Sequence, residues 1–377
     1  MAEDSIYSEL RKEGMSRRGF LKFCGLVAGA MSFSLLPPIE ALTNTGAVKT
    51  PIHHGTVEMV AKALQAKQRL PVIWMEFQDC AGCSEALTRS KSPTLVDLVL
   101  NKITVEYHET LSAAAGFQVE EAKIAAMQKY AGQYVLVVEG SVSDLDDGIY
   151  CTIGGKSSME LLREAAAGAA AIIATGNCSA FGGLPRAKPN PTGALGVSEV
   201  IKDKPVVNIP GCPAIPEVFT GVLAQFLVFG TLPELDALHR PKTFYGTAIH
   251  DRCLRRPFYD AGKFALSFDD EGAKQGYCLY KLGCKGPTTY NSCATLKWSG
   301  GLSFPIQSGH PCLGCSEPNF WDSGGFYQGQ SAPVSKPSGT VAAAAVAAGV
   351  AIAAGVGMAN VAQKKAAHST EKEEDKE

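Results

Sequence analysis

The sequence has almost no net charge, no internal repeat and too few cysteines for a disulfide scaffold, and each absence removes a class of protein. Lysine and arginine number 35 against 37 aspartate and glutamate, a formal balance of −2. No global basic field is available to grip phosphates, which argues against nucleic-acid binding. Only 12 of the 377 residues are cysteine, far below the density of small disulfide-stapled domains. A chain of this length can bury one or two ordinary cores without covalent help. With 46% hydrophobic residues it is neither wholly disordered nor collagen-like. The work of the cysteines must therefore be read from their spacing.

Both ends read as addresses. Ser16, Arg17 and Arg18 open a basic stretch followed by the uncharged run 23–39 and then by small and polar residues, the order of a twin-arginine export signal over 1–47. No clean A-x-A site fixes the cleavage point. That route carries proteins already folded, which is most useful when a cofactor is inserted first. At the other end, 337–363 holds no charged residue and is long enough to cross a bilayer core of about 30 Å as a helix. It is mostly alanine, glycine and valine, with Gly349, Ala353 and Gly357 spaced to pack against a partner's membrane helix. Lys364 and Lys365 follow and would stay cytoplasmic, leaving the body of the protein on the periplasmic face. The expectation is a linker at 331–338, a single transmembrane anchor at 339–363, with a surface helix or a flexible tail as the alternative, and a charged tail at 364–377.

Between the ends, apolar runs of strand length at 72–75, 103–105, 134–138, 171–174 and 206–209 alternate with helix-period stretches at 119–130, 157–170 and 218–228. This pattern predicts an α/β doubly wound parallel sheet, whose ligands sit outside the carboxyl ends of the strands. Cys80 and Cys83 follow the first run, Cys178 the fourth and Cys212 the fifth, so four distant residues are delivered to one edge. After about residue 240 the texture turns rich in glycine, proline, aromatics and cysteine with little periodicity, which suggests a domain organised by something other than secondary structure. Residues 188–193 read as an extended turn.

Setting aside Cys24 and Cys151 leaves 10 cysteines, and His250, three residues before Cys253, makes an eleventh candidate ligand. They partition by position into Cys80, Cys83, Cys178 and Cys212, then His250, Cys253, Cys278 and Cys284, then Cys293, Cys312 and Cys315. Sets of four thiolates suit 4Fe-4S clusters, a histidine can replace one thiolate, and a set of three fits a 3Fe-4S cluster. Zinc also takes four-ligand Cys and Cys3His sets, disulfides are allowed outside the cytoplasm, and Cys80 with Cys83 could form a redox dithiol. The dithiol would explain one pair and none of the others.

In this light the chain resembles the small subunit of a membrane-bound (uptake) nickel-iron hydrogenase. The resembling segments are W-M-E-F-Q-D-C-A-G-C-S-E from Trp74, Y-H-E-T from Tyr107, G-N-C-S-A-F-G-G from Gly176 and K-P-N-P-T-G-A from Lys188. They continue with N-I-P-G-C-P from Asn208, H-D-R-C from His250, G-Y-C-L-Y-K-L-G-C-K-G-P from Gly276 and G-H-P-C-L-G-C-S-E-P-N-F-W-D from Gly309. The resemblance implies a flavodoxin-like domain at 48–240 and an iron-sulfur C-terminal domain at 241–330. It also implies a partner large subunit that carries the nickel-iron site, since this chain offers none. Carried over, Cys80, Cys83, Cys178 and Cys212 would bind a proximal 4Fe-4S cluster. Cys293, Cys312 and Cys315 would bind a medial 3Fe-4S cluster, and His250, Cys253, Cys278 and Cys284 a distal 4Fe-4S cluster. Pro305 stands where some relatives supply a fourth medial cysteine. Electrons from dihydrogen would pass from proximal to medial to distal, then to a membrane cytochrome b or another quinone-linked acceptor. Oxygen-tolerant relatives carry two extra cysteines where this chain has Gly82 and Gly183, so a standard cubane and oxygen-sensitive turnover are expected. Another respiratory iron-sulfur protein shares the proximal-type fold, but a twin cysteine would point to it, and here Ala81 and Gly82 separate Cys80 from Cys83.

Other polar residues receive plainer expectations. Cys151 reads as a small buried side chain. His53, His54 and His239 read as surface or loop residues, and His108 as partner-facing or structural. His310 is a candidate hydrogen-bond donor behind the medial pair. Glu76 and Glu85 are candidates for the subunit interface, with solvated or capping roles as the alternative, and Trp298 and Trp321 are expected to exclude water around the clusters.

Overall fold

The computed structural model describes residues 69–91 and 93–328. The expected signal, linker, anchor and tail fall outside them, as do His53 and His54. Among the described residues, no helix is long and apolar enough to cross a membrane.

Five strands form one parallel sheet: β1 (Leu70–Glu76), β2 (Ile103–His108), β3 (Val135–Glu139), β4 (Ala171–Thr175) and β5 (Val206–Ile209), in the order β2-β1-β3-β4-β5. Every residue of β3, β4 and β5 is buried. Helices cover both faces of such a sheet, so its strands read as unbroken apolar runs. Because side chains alternate across a strand, β1 sends Val72 and Trp74 into one core and Ile73 and Met75 into the other.

Helices between and after the strands include α1 (Gly82–Thr88), α2 (Leu95–Asn101), α3 (Phe117–Lys129), α4 (Ser158–Gly168), α5 (Gly176–Phe181) and α6 (Pro216–Phe229), of which α1 carries Cys83 and α5 carries Cys178. Ser157 starts α4 with a capping box in which Glu160 reaches back to the Ser157 amide. In α6, Pro216 fixes the first turn and Gly230, at φ 67°, ends the helix in the left-handed region.

Past residue 230 regular structure is short: four- and five-residue helices and 3-10 turns such as Ile249–Arg252 and Leu279–Leu282. The first core nevertheless runs on into this part. Val218, Phe219 and Val222 of α6 belong to the same cluster as Tyr245, Ile249, Leu279, Phe304 and Ile306. The Tyr245 hydroxyl ties the two further by donating to the Pro210 carbonyl, 2.8 Å away and buried.

Candidate metal centres

The first four cysteines sit where strands end. The chain leaves β1 at Glu76, reaches Cys80, and places Cys83 in the first turn of α1. That helix has no side-chain cap of its own. Its open amides are instead served by Glu139, the last residue of β3, which accepts from Cys83 N at 2.8 Å and Ser84 N at 3.0 Å. The Ser84 hydroxyl and the Trp74 indole donate to the same carboxylate, at 2.6 and 3.3 Å. Cys178 lies in α5 directly after β4, and Cys212 follows β5. The thiols act on one another electrostatically: Cys83 with Cys178 and Cys212, and Cys80 with both Cys178 and Cys212. Three glycines clear the space beside the sulfurs. A β-carbon would come within 2.5 Å of Cys83 Sγ at Gly176, 2.6 Å of Cys178 Sγ at Gly183 and 3.0 Å of Cys80 Sγ at Gly82.

The set Cys293, Cys312 and Cys315 lines a cavity of about 430 Å³, shared with Pro305, Trp298 and His310. Cys212 reaches the same wall, and its backbone hydrogen-bonds the Cys315 thiol. Asn177, beside Cys178, holds the Cys315 loop against the sheet end by donating to the Cys315 and Glu317 carbonyls, both at 3.0 Å.

The third set lies beyond. Cys253, Cys278 and Cys284 interact electrostatically, and His250 is 5% exposed with its Nε2 buried and unpartnered. Burial, with Arg256 nearby, pushes the His250 pKa down to about 4, so the imidazole is neutral at neutral pH. The amide of Cys312 donates to Cys284 Sγ at 3.3 Å, joining this set to the cavity.

These features fit sulfur-rich polynuclear centres. None of the eleven described cysteines is paired in a disulfide. A tetrahedral zinc would gather its sulfurs to about 3.8 Å, yet the one group of three or more candidate ligands within 4.8 Å among the described residues is Glu76, Asp79 and Glu139. Burial pushes the thiols up, Cys178 to about 12 and Cys278 and Cys315 to about 11. Such thiols are protonated unless a metal holds them as thiolates. Cys83 is also raised, first by burial and then by Glu139, which is contrary to the depressed pKa of a redox dithiol.

Several single-residue expectations resolve differently. His108 is buried and internal, stacked on Trp74 with ring centroids 5.1 Å apart and its Nε2 3.1 Å from Ser84 Oγ. Glu76 is neither solvated nor a cap: it is buried and accepts from the Thr110 amide at 2.9 Å and from Ser84 Oγ at 3.3 Å. Glu85 is exposed and bonded to Arg89. His310 lines the cavity but donates to no sulfur, because its two ring nitrogens face Pro311 O at 2.8 Å and Tyr327 Oη at 3.0 Å. Trp298 lines the cavity, whereas Trp321 packs between the Phe320 and Phe326 rings. Cys151 is half-buried against the second core, and His239 is exposed. Glu139 and Arg255 lie outside the resembling segments, and Asp79 and Lys285 lie within them with no role that the sequence signals.

A family model for the C-terminal part of the NiFe/NiFeSe hydrogenase small subunit matches residues 245–328, and one described as NADH ubiquinone oxidoreductase, 20 Kd subunit, matches residues 80–226. The uptake hydrogenase small subunit of Azotobacter vinelandii is 48% identical over 325 residues, 86% of each chain. That of Afipia carboxidovorans is 47% identical over 353 residues, 92% of this chain and 91% of its own. Among solved structures, a reduced, active form of the Ni-Fe-Se hydrogenase from Desulfomicrobium baculatum matches with a TM-score of 0.66 at 34% identity, over 70% of this chain and 100% of its own. Sequence identity over most of the chain and a common parallel α/β fold agree, and the chain belongs to the nickel-iron hydrogenase small subunits, which carry iron-sulfur clusters, pair with a large subunit and transfer its electrons.

Proposed function

We propose that the chain holds three clusters in a row: a 4Fe-4S at Cys80, Cys83, Cys178 and Cys212, a 3Fe-4S at Cys293, Cys312 and Cys315, and a 4Fe-4S at His250, Cys253, Cys278 and Cys284. Bound there, the clusters would supply reversible one-electron chemistry between the nickel-iron partner and an acceptor. The observation that carries the reading is the pair of contacts joining the sets: Cys212 backbone to Cys315 thiol, and Cys312 amide to Cys284 sulfur at 3.3 Å. The chain's own residues fix the ligands and keep water away. Glu139 anchors the turn that bears Cys83, Trp298 and Phe304 wall the cavity, and the neutral His250 brings less negative charge than a fourth thiolate. Pro305 in the cavity wall favours three irons in the middle centre.

The acceptor proposed is a membrane cytochrome b or another quinone-linked protein, met on the periplasmic face after twin-arginine export and anchoring through 339–363. With Gly82 and Gly183 beside the sulfurs, the innermost centre is an ordinary cubane and turnover is oxygen-sensitive. Co-purification followed by metal analysis tests the assignment. Nickel should appear in the companion chain and about eleven irons in this one. A colourless, zinc-bound chain would overturn it.

A further inference from the structure

We propose that Arg255 is a positioning residue that sets the potential of the outermost centre, holding the set of His250, Cys253, Cys278 and Cys284 more positive than its thiolates alone would; the proposal rests on the cluster assignment above. Arg255 is 8% exposed. A buried guanidinium normally finds a carboxylate, because an isolated charge inside a protein costs several kcal/mol. Among the described residues Arg255 has none: Nε donates to the Ile306 carbonyl at 3.0 Å and Nη1 to the Tyr277 carbonyl at 2.7 Å. Its neighbour shows the ordinary solution. Arg256 pairs with Asp260 at 2.9 Å and lies 3.5 Å from Asp251.

The negative partner that Arg255 lacks is the sulfur set itself. Its own amide donates to Cys253 Sγ at 3.4 Å, and its side chain reaches the residue preceding Cys278. The guanidinium spans the carbonyls of Tyr277, which precedes Cys278, and of Ile306, whose side chain and Cys284 Sγ both lie against Gly286. A fixed positive charge stabilises the reduced form of a centre, which gains negative charge, and so raises its potential. Electrons leaving the sheet end therefore meet a more favourable site at the exit. Lys285, also buried, repeats the device beside Cys312, with its ammonium on the Phe320 and Gly324 carbonyls at 3.5 and 3.3 Å.

The test is a redox titration of the purified heterodimer followed by electron paramagnetic resonance, with iron counted in each sample. Arg255→Gln keeps an N–H donor but removes the charge, and should lower the midpoint of the outermost centre while leaving the sheet-end centre unmoved. Arg255→Lys keeps the charge and should hold that midpoint near the wild-type value. An unchanged midpoint in Arg255→Gln overturns the proposal, as does a fall in Arg255→Lys as large as in Arg255→Gln. Should Arg255→Gln lose iron, Arg255→Met takes its place as the charge-free variant, a lowered midpoint sustaining the proposal and an unchanged one overturning it. A wild-type chain without cluster signals would instead defeat the cluster assignment.

Discussion

Cys83, at the sheet end, is flanked by the Glu139 carboxylate, with Glu76 and Asp79 in the same acidic group; in the outer segment, Cys284 feels the Arg255 cation and Cys312 the Lys285 cation. The backbone around each explains the difference. At the sheet end the strands and helices satisfy their own carbonyls, and the shortfall is the open amides of α1, which an acceptor must fill. In the outer segment regular structure is scarce, so carbonyls such as those of Tyr277, Ile306, Phe320 and Gly324 need donors, and long cations supply them. The sign of the charge nearest Cys83 and nearest Cys284 thus follows from which backbone groups the local fold leaves open.

The comparison breaks most visibly if the ligands are removed. Stripping iron from the heterodimer should leave β1 to β5 protected in hydrogen exchange, because their bonds and core need no metal. Residues 245–328 should exchange faster by several orders of magnitude, roughly as for local unfolding. Equal loss in both regions would show that the outer segment is not organised by its clusters. A smaller effect is expected from Gly176→Ala, which puts a β-carbon 2.5 Å from Cys83 Sγ at φ 87°. Thermal unfolding should register a loss of about 1–3 kcal/mol, with iron reduced by about four per heterodimer; an unaltered iron count would mean that the sheet-end nest is not tightly drawn. The smallest effect is assigned to Lys285→Met. It should lower the middle centre's midpoint by less than Arg255→Gln lowers the outermost, since Lys285 acts on Cys312 whereas Arg255 acts on three thiols. A shift as large as that of Arg255→Gln would mean that the two cations act alike.

The sheet was legible because a parallel strand buried on both faces is almost entirely apolar. The runs at 171–174 and 206–209 became β4 and β5 almost without change, while β2 runs on through the polar Glu106 and His108, which no apolar run could signal. The cysteines were legible through their C-x-x-C pairs and their placement after the strand runs. Glu139 was not, since its bond to Cys83 joins residues 56 apart in sequence. Arg255 and Lys285 look in the sequence like ordinary surface charges, and only burial sets them apart. The expectation for His310 failed for a local reason: the adjoining Pro311 carbonyl and the Tyr327 hydroxyl occupy its ring before any sulfur could.

The amide of Cys312, a ligand of the proposed middle centre, donates to the sulfur of Cys284, a ligand of the proposed outermost one. With the proposed clusters bound, two redox groups joined in this way would not be independent reservoirs. Filling either would make the other harder to fill, so their midpoints in a titration would be properties of the coupled pair, and the half-filled state would persist over a wider span of applied voltage. The contact between those two cysteines would then act as an anticooperative link that discourages both stations from holding an electron at once.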